Sequence, residues 1–348
     1  MNDLGTFHRD PLPGTPPLKE WPCTIDKASD FLKTWYDSGK PFFTKKELEK
    51  LSTQLNRRYN TRGRNSSQKQ LISIKGLTGS KLRYEVLTGQ VLTGEKENQD
   101  WEMRVNALEQ VKLEEAFFPL QIEHFVLKRA SDTKLPIVAD YIRNPVPVDE
   151  YLQSTLKSWK QFPHWKNLEE LLKLVSNHKI TKVIGIANGP MEFGTNEHYI
   201  GRCGMQNSVI ITIKESIEEI TGQKIKCYTQ DPRYTAVDQW ALAQHGCEVL
   251  EDPKALLEID DNCILFSCCP ALPLKEITVE FARPAMLIWD RVDCYRDREW
   301  TFSHNPDSPR VGNMIQKEYD CHEFWDMPED GEVPFKSCLT AYIRRKVE

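Results

Sequence analysis

No apolar run in this chain approaches the roughly 18 residues that a membrane-crossing helix requires, so no membrane partner is expected. The opening, Met1-Asn-Asp-Leu-Gly-Thr-Phe-His-Arg-Asp10, lacks the basic-then-apolar plan of a secretory leader. A lysine-bearing phosphate loop is missing, as are the six-residue glycine fingerprint of dinucleotide-binding sheets and the Gly-x-Ser-x-Gly turn of serine hydrolases. No Ser, His and Asp can be assigned as a triad. The 10 cysteines contain no two matched pairs at zinc-ligand spacing, so no metal centre is expected. Cys227, Cys263, Cys268 and Cys269 fall in or beside apolar runs. With no export plan, these read as buried reduced thiols in the cytoplasm or nucleus rather than as a disulfide framework.

What is present is ordinary for a water-soluble globular chain: 28% charged and 39% hydrophobic residues over 348 positions. That length holds one large domain, or a core domain with an elaborated amino-terminal part. Charge is uneven. Lys40 to Tyr84 carries 12 Lys or Arg against 2 Asp or Glu, although the whole chain is at −5. A basic segment on an acidic body suits an anionic partner, nucleic acid or tRNA among them, with Tyr59 between arginines able to stack on a base. It also suits a solvated face or a contact between two parts of the molecule, and no nucleic-acid module is recognisable in it.

From Ile180 to Asp290, short apolar runs alternate with helix-like segments. The runs are Lys182–Ala187, Lys224–Thr229, Cys247–Leu250, Cys263–Cys268 and Ala285–Trp289, each of strand length and rich in β-branched or aromatic residues. Strict strand–helix alternation predicts an α/β fold, a Rossmann-like, mostly parallel sheet with helices on both faces, because parallel neighbours need crossovers. Crossover helices are expected at Gln206–Thr221, Ala236–His245, Pro253–Ile259 and Leu274–Phe281. Before this core the chain divides into a proline-rich arm over 1–20 and an α+β region over 21–147, leaving 148–348 for the Rossmann-like domain and its extension. The α+β region has helices at Ile25–Asp37 and Lys45–Arg57, the second opened by a Thr44/Glu47 capping-box spacing. Strands are expected at Leu71–Lys75, Leu82–Leu87 and His124–Arg129, and Asn144-Pro-Val-Pro147 reads as a joint. Glu150–Trp159 and Leu168–Asn177 read as helices, and Ser337–Arg345 as a closing helix. A Leu-Thr-Gly tripeptide at Leu77, Leu87 and Leu92 is turn chemistry, not a solenoid repeat.

Parallel sheets of this kind bind ligands beyond the carboxyl ends of their strands. In the turn Gly185-Ile-Ala187-Asn188-Gly189-Pro190, small residues let a backbone approach a ligand, and the following helix, which carries Gln206, offers N–H groups to an anion. A tight turn with no ligand explains the glycines equally well. After the second strand, Gln230, Asp231 and Tyr234 are candidates, since a carboxylate there can accept both ribose hydroxyls; Asp231 before Pro232 suits a turn as well. Cys269-Pro270 after the fourth strand is the minimal pattern of regulatory haem ligation, against a structural cysteine as the commoner case. Asp290 and Arg291 close the fifth strand and face the same hollow or pair with one another. His198, with Glu192 and Glu197 nearby, reads as acid–base capacity or as an exposed loop.

Four separated motifs resemble one family in order and spacing: Gln230-Asp-Pro-x-Tyr-Thr-x-Val-Asp238, Gly246-x-x-Val-Leu-x-Asp-Pro253, Leu257-Glu-Ile-Asp-Asp261 and Ala282-Arg-Pro-Ala-Met-Leu-Ile-Trp-Asp-Arg291. They look like the fungal branch of the Sensitivity-to-Red-Light-Reduced-like domain family, as does Tyr36-Asp-Ser-Gly-Lys-Pro-Phe-Phe-Thr44. The resemblance covers most of Val183–Val292. It implies a role in signalling, in regulation of haem biosynthesis or in microtubule stability, and it transfers no reaction. Where the family tends to a glycine-serine type of first turn, this chain has Ala187-Asn188-Gly189-Pro190. The expected function is therefore a regulatory protein binding a small nucleotide-like ligand or a protein partner. The alternatives are an enzyme using a nucleotide, S-adenosylmethionine or an aminoacyl-tRNA at Asn188, Gln230, Asp231, Cys269 and Asp290, and a haem-responsive factor.

Overall fold

The computed structural model describes residues 25–56, 70–77, 79, 81–86, 91–93, 100–109, 120–129, 136–137, 145–191, 197–292, 305–325, 335 and 338–346. The expected arm over 1–20 and Tyr59 lie outside them. The amino-terminal part runs α1 (Ile25–Asp37), α2 (Lys45–Asn56), β1 (Gln70–Lys75), β2 (Lys81–Val86), β3 (Val91–Thr93), β4 (Asp100–Glu109), β5 (Gln121–Arg129) and β6 (Pro136–Ile137). Strands β1 and β2 form an antiparallel pair, and β3 to β6 form a four-stranded antiparallel sheet. The core follows as α3 (Pro145–Trp159), α4 (Pro163–Val175), β7 (Lys182–Ile186), α5 (Glu197–Thr221), β8 (Lys226–Gln230), α6 (Ala236–Gln244) and β9 (Cys247–Val249). It continues as α7 (Lys254–Leu257), β10 (Cys263–Ser267), α8 (Leu274–Phe281), β11 (Met286–Asp290), α9 (Pro309–Glu318), β12 (Tyr319–Trp325) and β13 (Leu339–Arg344).

Seven strands make one sheet in the order β12-β13-β11-β10-β7-β8-β9. The five expected strands are all present and mutually parallel. The α/β class is therefore as read, with one addition: β13 runs antiparallel to both β11 and β12.

The period-two geometry of a strand divides this sheet's side chains between two cores. Val183, Ile264, Phe266, Met286 and Ile288 share one apolar cluster with α3, α4, α5 and α6. Their neighbours Ile184, Ile186, Leu265, Leu287 and Trp289 share a second with α1, α2, α7, α8 and α9. Helices thus cover both faces, and the strands are buried from both sides, as their unbroken apolar runs require.

The order also fixes a switch point. The chain leaves β7 outward through α5, β8, α6 and β9, then returns to β10 on the opposite side of β7. Adjacent loops after β7 and β10 therefore lead to helices on opposite faces and diverge, which opens a crevice between them.

Three expectations are corrected. Ser337–Arg345 is not a helix; Leu339–Arg344 pairs with β11, and its five buried residues supply the apolar face that the sheet needs on that side. Gly185 lies inside β7 rather than in the turn. Asn144-Pro-Val-Pro147 is not a joint, because α3 begins at Pro145, where the first turn has no use for the missing N–H. Beyond Asp290 the chain also adds α9 and β12 to the core.

Candidate functional site

Backbone conformation marks the crevice. Ala187, just past β7, has φ of 59°, and Cys269, just past β10, has φ of 50°. These are the two non-glycine residues with positive φ among those described, and they follow neighbouring strand ends, Ile186 standing opposite Ser267. Left-handed backbone costs an L-residue roughly 1–2 kcal/mol, so each turn must be held by what surrounds it.

The β7 turn is held by one backbone carbonyl of β8 and by two carboxylates, one just past β8 and one in the first turn of α6. Ala187 N–H donates to the Gln230 carbonyl at 2.8 Å. Gly189 N–H donates to Asp231 Oδ2 at 2.8 Å, and Met191 N–H to Asp238 Oδ1 at 2.7 Å. Asp231 also accepts from Arg233 N–H at 2.9 Å. Beneath the turn runs a buried relay. Asn188 Nδ2 donates to Thr229 Oγ1 at 3.0 Å, Thr229 Oγ1 lies 3.0 Å from the Tyr234 hydroxyl, and that hydroxyl donates to Asn207 Oδ1 at 2.7 Å. Asn207 Nδ2 closes the loop onto the Gly189 carbonyl at 3.2 Å. Gly185 is required by this packing: a Cβ there would stand 2.1 Å from Ile210 Cδ1 and 2.3 Å from Asn188 Nδ2.

The β10 turn is held by β11. Cys269 N–H donates to Asp290 at 3.2 and 3.1 Å on its two oxygens, and the Cys269 thiol lies 3.4 Å from Asp290 Oδ1. Ser267 Oγ donates to the Ile186 carbonyl at 2.8 Å, tying the two strand ends together. Cys269 is exposed while Cys268 and Pro270 are buried. Arg291 is set the other way, its Nε donating to Thr340 Oγ1 of β13 at 3.2 Å and its N–H to the Cys338 carbonyl at 2.9 Å.

Three carboxyls gather beyond β8 and β9. Burial raises Asp231 above the ordinary carboxylate range against the pull of its two N–H donors. Burial pushes Asp238 up to about 6. For Asp252, burial and then the charges of Asp231 and Glu251 raise it to about 7. Gln230 Nε2 donates to Asp252 Oδ2 at 2.9 Å. Buried Asn188 Oδ1, Gln206 Oε1 and Gln230 Oε1 have no hydrogen-bond partner among the described residues, and so retain acceptor capacity.

The structure thus brings Ala187, Asn188, Gly189, Gln230, Asp231 and Tyr234 into one hydrogen-bonded group and Cys269 with Asp290 into a second, side by side at the switch point. Asp238, Asp252, Thr229 and Asn207 belong with the first group and were not read from the sequence. The motif Gln230-Asp-Pro-x-Tyr-Thr-x-Val-Asp238 contains one of them, and Asp252 stood in a second motif as an unremarked turn residue. His198 is in α5, and Glu192 lies outside the described residues. For a metal ion, Cys268, Cys269 and Asp290 bring two thiols and a carboxylate within 4.8 Å of one another, the one such group among the described residues. Among those residues no helix is long and apolar enough to cross a membrane.

The SRR1 domain matches residues 152–333 of the chain. No curated protein matches it. Among solved structures, "cofactor-bound Rv0187 from MTB" is 12% identical with a TM-score of 0.33, the match covering 58% of this chain and 91% of that one. A "putative O-methyltransferase from Klebsiella pneumoniae" is 13% identical with a TM-score of 0.30, covering 57% and 90%. Both likenesses are too distant to bear on chemistry.

Proposed function

This chain belongs to the SRR1 domain family, and on that footing we propose that it is a regulatory protein that binds a small nucleotide-like ligand in the crevice between the turns after β7 and β10. The observation that carries the reading is the pair of left-handed turns at Ala187 and Cys269, flanking the switch point. Strain of this kind persists where surrounding structure enforces it and gathers at ligand sites. A switch-point crevice is where open parallel sheets take nucleotides. Asn188 Oδ1 and Gln230 Oε1 offer acceptors suited to the amino group of a base. Binding without turnover is favoured because Asp231, Asp238 and Asp290 are already engaged by backbone N–H groups and serve to hold the turns. In this reading residues 148–348 are the ligand-binding unit, 21–147 its elaboration, and the protein works in the cytoplasm or nucleus.

An enzymic reading, using a nucleotide, S-adenosylmethionine or an aminoacyl-tRNA, has one observation in its favour. Asp252, raised to about 7, can exchange a proton near neutrality beside the crevice. A haem-responsive role would instead use the exposed thiol of Cys269.

The test is a thermal-shift panel of adenine nucleotides, S-adenosylmethionine, haem and tRNA on the purified full chain. Ligand at 100 times its Kd should stabilise the fold by roughly 2.7 kcal/mol. The proposal expects a nucleotide-dependent rise that is lost in Gln230→Ala. A chain that no nucleotide or nucleoside shifts, or a shift undiminished in that variant, overturns it. A Soret change abolished by Cys269→Ala would establish the haem reading in its place.

A further inference from the structure

None of the described residues of the basic segment Lys40–Tyr84 lines the crevice, and the fold of those residues gives their charge a second use. Between α2, the Phe42–Thr44 approach to it, the β1–β2 pair and Leu120 lies a cavity of about 290 Å³. Phe42, Phe43, Leu48, Leu51, Ile74 and Leu120 line it, and all six are buried. The chain holds this space open by a specific clamp. Gln54 Nε2 donates to the Ser73 carbonyl at 3.2 Å and Gln54 Oε1 accepts from Ser73 N–H at 3.0 Å, so the helix side chain completes the outer edge of β1.

Three lysines, Lys50, Lys75 and Lys81, complete the lining. Lys75 and Lys81 stand directly opposite one another across the antiparallel pair, where like charges repel. All three are exposed, and among the residues whose side chains are described none forms an ion pair with them. The one lining carboxylate, Glu47, is occupied by its own helix cap, accepting from Thr44 Oγ1 at 2.7 Å. An apolar cavity with three uncompensated cations is complementary to a molecule with an apolar body and an anionic head.

We propose that this cavity binds a small amphipathic anion, a medium-length acyl or aryl group bearing one carboxylate or phosphate. The lysines hold the head and the aromatic and aliphatic residues take the body. The volume sits at the lower end of small-molecule sites, about 300–1,000 Å³. A nucleic-acid backbone would use the lysines and leave the apolar lining unfilled, which disfavours that partner here. The proposal is independent of the crevice reading, since no residue is shared between the two sites.

The experiment is calorimetric titration of the full chain with octanoate, octyl phosphate, octanol and inorganic phosphate, in parallel with a fluorescent oligouridylate. Octanoate and octyl phosphate should bind, with octanol and inorganic phosphate at least ten-fold weaker, because neither has both parts. In Lys75→Gln/Lys81→Gln, octanoate affinity should fall about ten-fold or more with Tm undiminished or slightly raised, since both lysines are exposed and repel one another. Leu51→Trp, which fills the space, should abolish octanoate binding while the chain keeps its cooperative unfolding transition. Octanol binding as tightly as octanoate, octanoate affinity indifferent to the lysine changes, or tight oligouridylate binding without any octanoate binding would each overturn the proposal.

Discussion

Asp231 accepts the backbone N–H of Gly189 at 2.8 Å, so a carboxylate at the end of one strand dictates the shape of the turn after its neighbour. A second oxygen of the same group receives Arg233 N–H at 2.9 Å. The residue in the position expected to hold ribose is first of all a tie between two loops, and the consequences can be measured.

Asp231→Ala leaves two backbone N–H groups without their acceptor, at roughly 1–3 kcal/mol for each one that stays buried. The expected outcome is a lower urea midpoint at unchanged m-value. Asp231→Asn, which keeps one acceptor oxygen of the two, should lose about half as much. Equal losses would show that charge rather than geometry anchors the turn.

Ala187→Gly removes a Cβ from a left-handed residue and should raise stability by about 0.5–1 kcal/mol after the entropy of the more flexible unfolded chain is counted. Chemical denaturation measures it. A destabilised variant would mean that the half-buried methyl group contributes more by packing than its backbone costs.

Gly185→Ala has the opposite sign. The new methyl would stand 2.1 Å from Ile210 Cδ1, inside a face where the strands are fully buried. Overpacking costs about 1–3 kcal/mol. Pairing it with Ile210→Val should recover part of the loss, which a double-mutant cycle in thermal unfolding would show.

Stability should fall as pH rises from about 4 to about 7. Asp238 and Asp252 have folded values pushed up to about 6 and about 7, well above the roughly 3.9 of an unfolded aspartate. The folded state therefore holds protons that the unfolded chain releases. Their contribution is complete below pH 4 and is lost as pH climbs through 6 and 7. Tm should be several degrees higher at pH 5.5 than at pH 7.5, and Asp252→Asn should flatten the slope. A profile that rises over this window would contradict the assignment.

The sequence showed the parallel core plainly because each strand there is buried on both faces and reads as a continuous apolar run. Val183 to Ile186 and Ile264 to Ser267 contain no exposed position. The same doubly buried environment concealed the start of α5. From Cys203 to Ile213 every residue is buried, so the 3.6-residue alternation that reveals a helix is missing, and the helix begins nine residues before the expected Gln206. Strand β13 was mistaken for a helix because Leu339 to Ile343 is buried throughout and lacks period-two contrast. At the site, residues adjacent in a turn were legible, including Asn188 and Asp231. Cys269 and Asp290, 21 positions apart, were legible as neighbours because both end parallel strands, whereas Asp252, which meets Gln230 across 22 positions from a loop after a short strand, was not.

Arg310, at the start of α9, reaches back 274 residues to the first helix. Its guanidinium donates to the Tyr36 carbonyl and sits 4.4 Å over the Tyr36 ring, while another arm pairs with Glu280 at 2.6 Å. On the ribosome, then, this clamp on α1 cannot close until Arg310 has emerged, 274 residues after Tyr36. A nascent chain stopped before residue 310 would lack that clamp on Tyr36 and hold its first helix more loosely, within reach of chaperones and quality-control proteases.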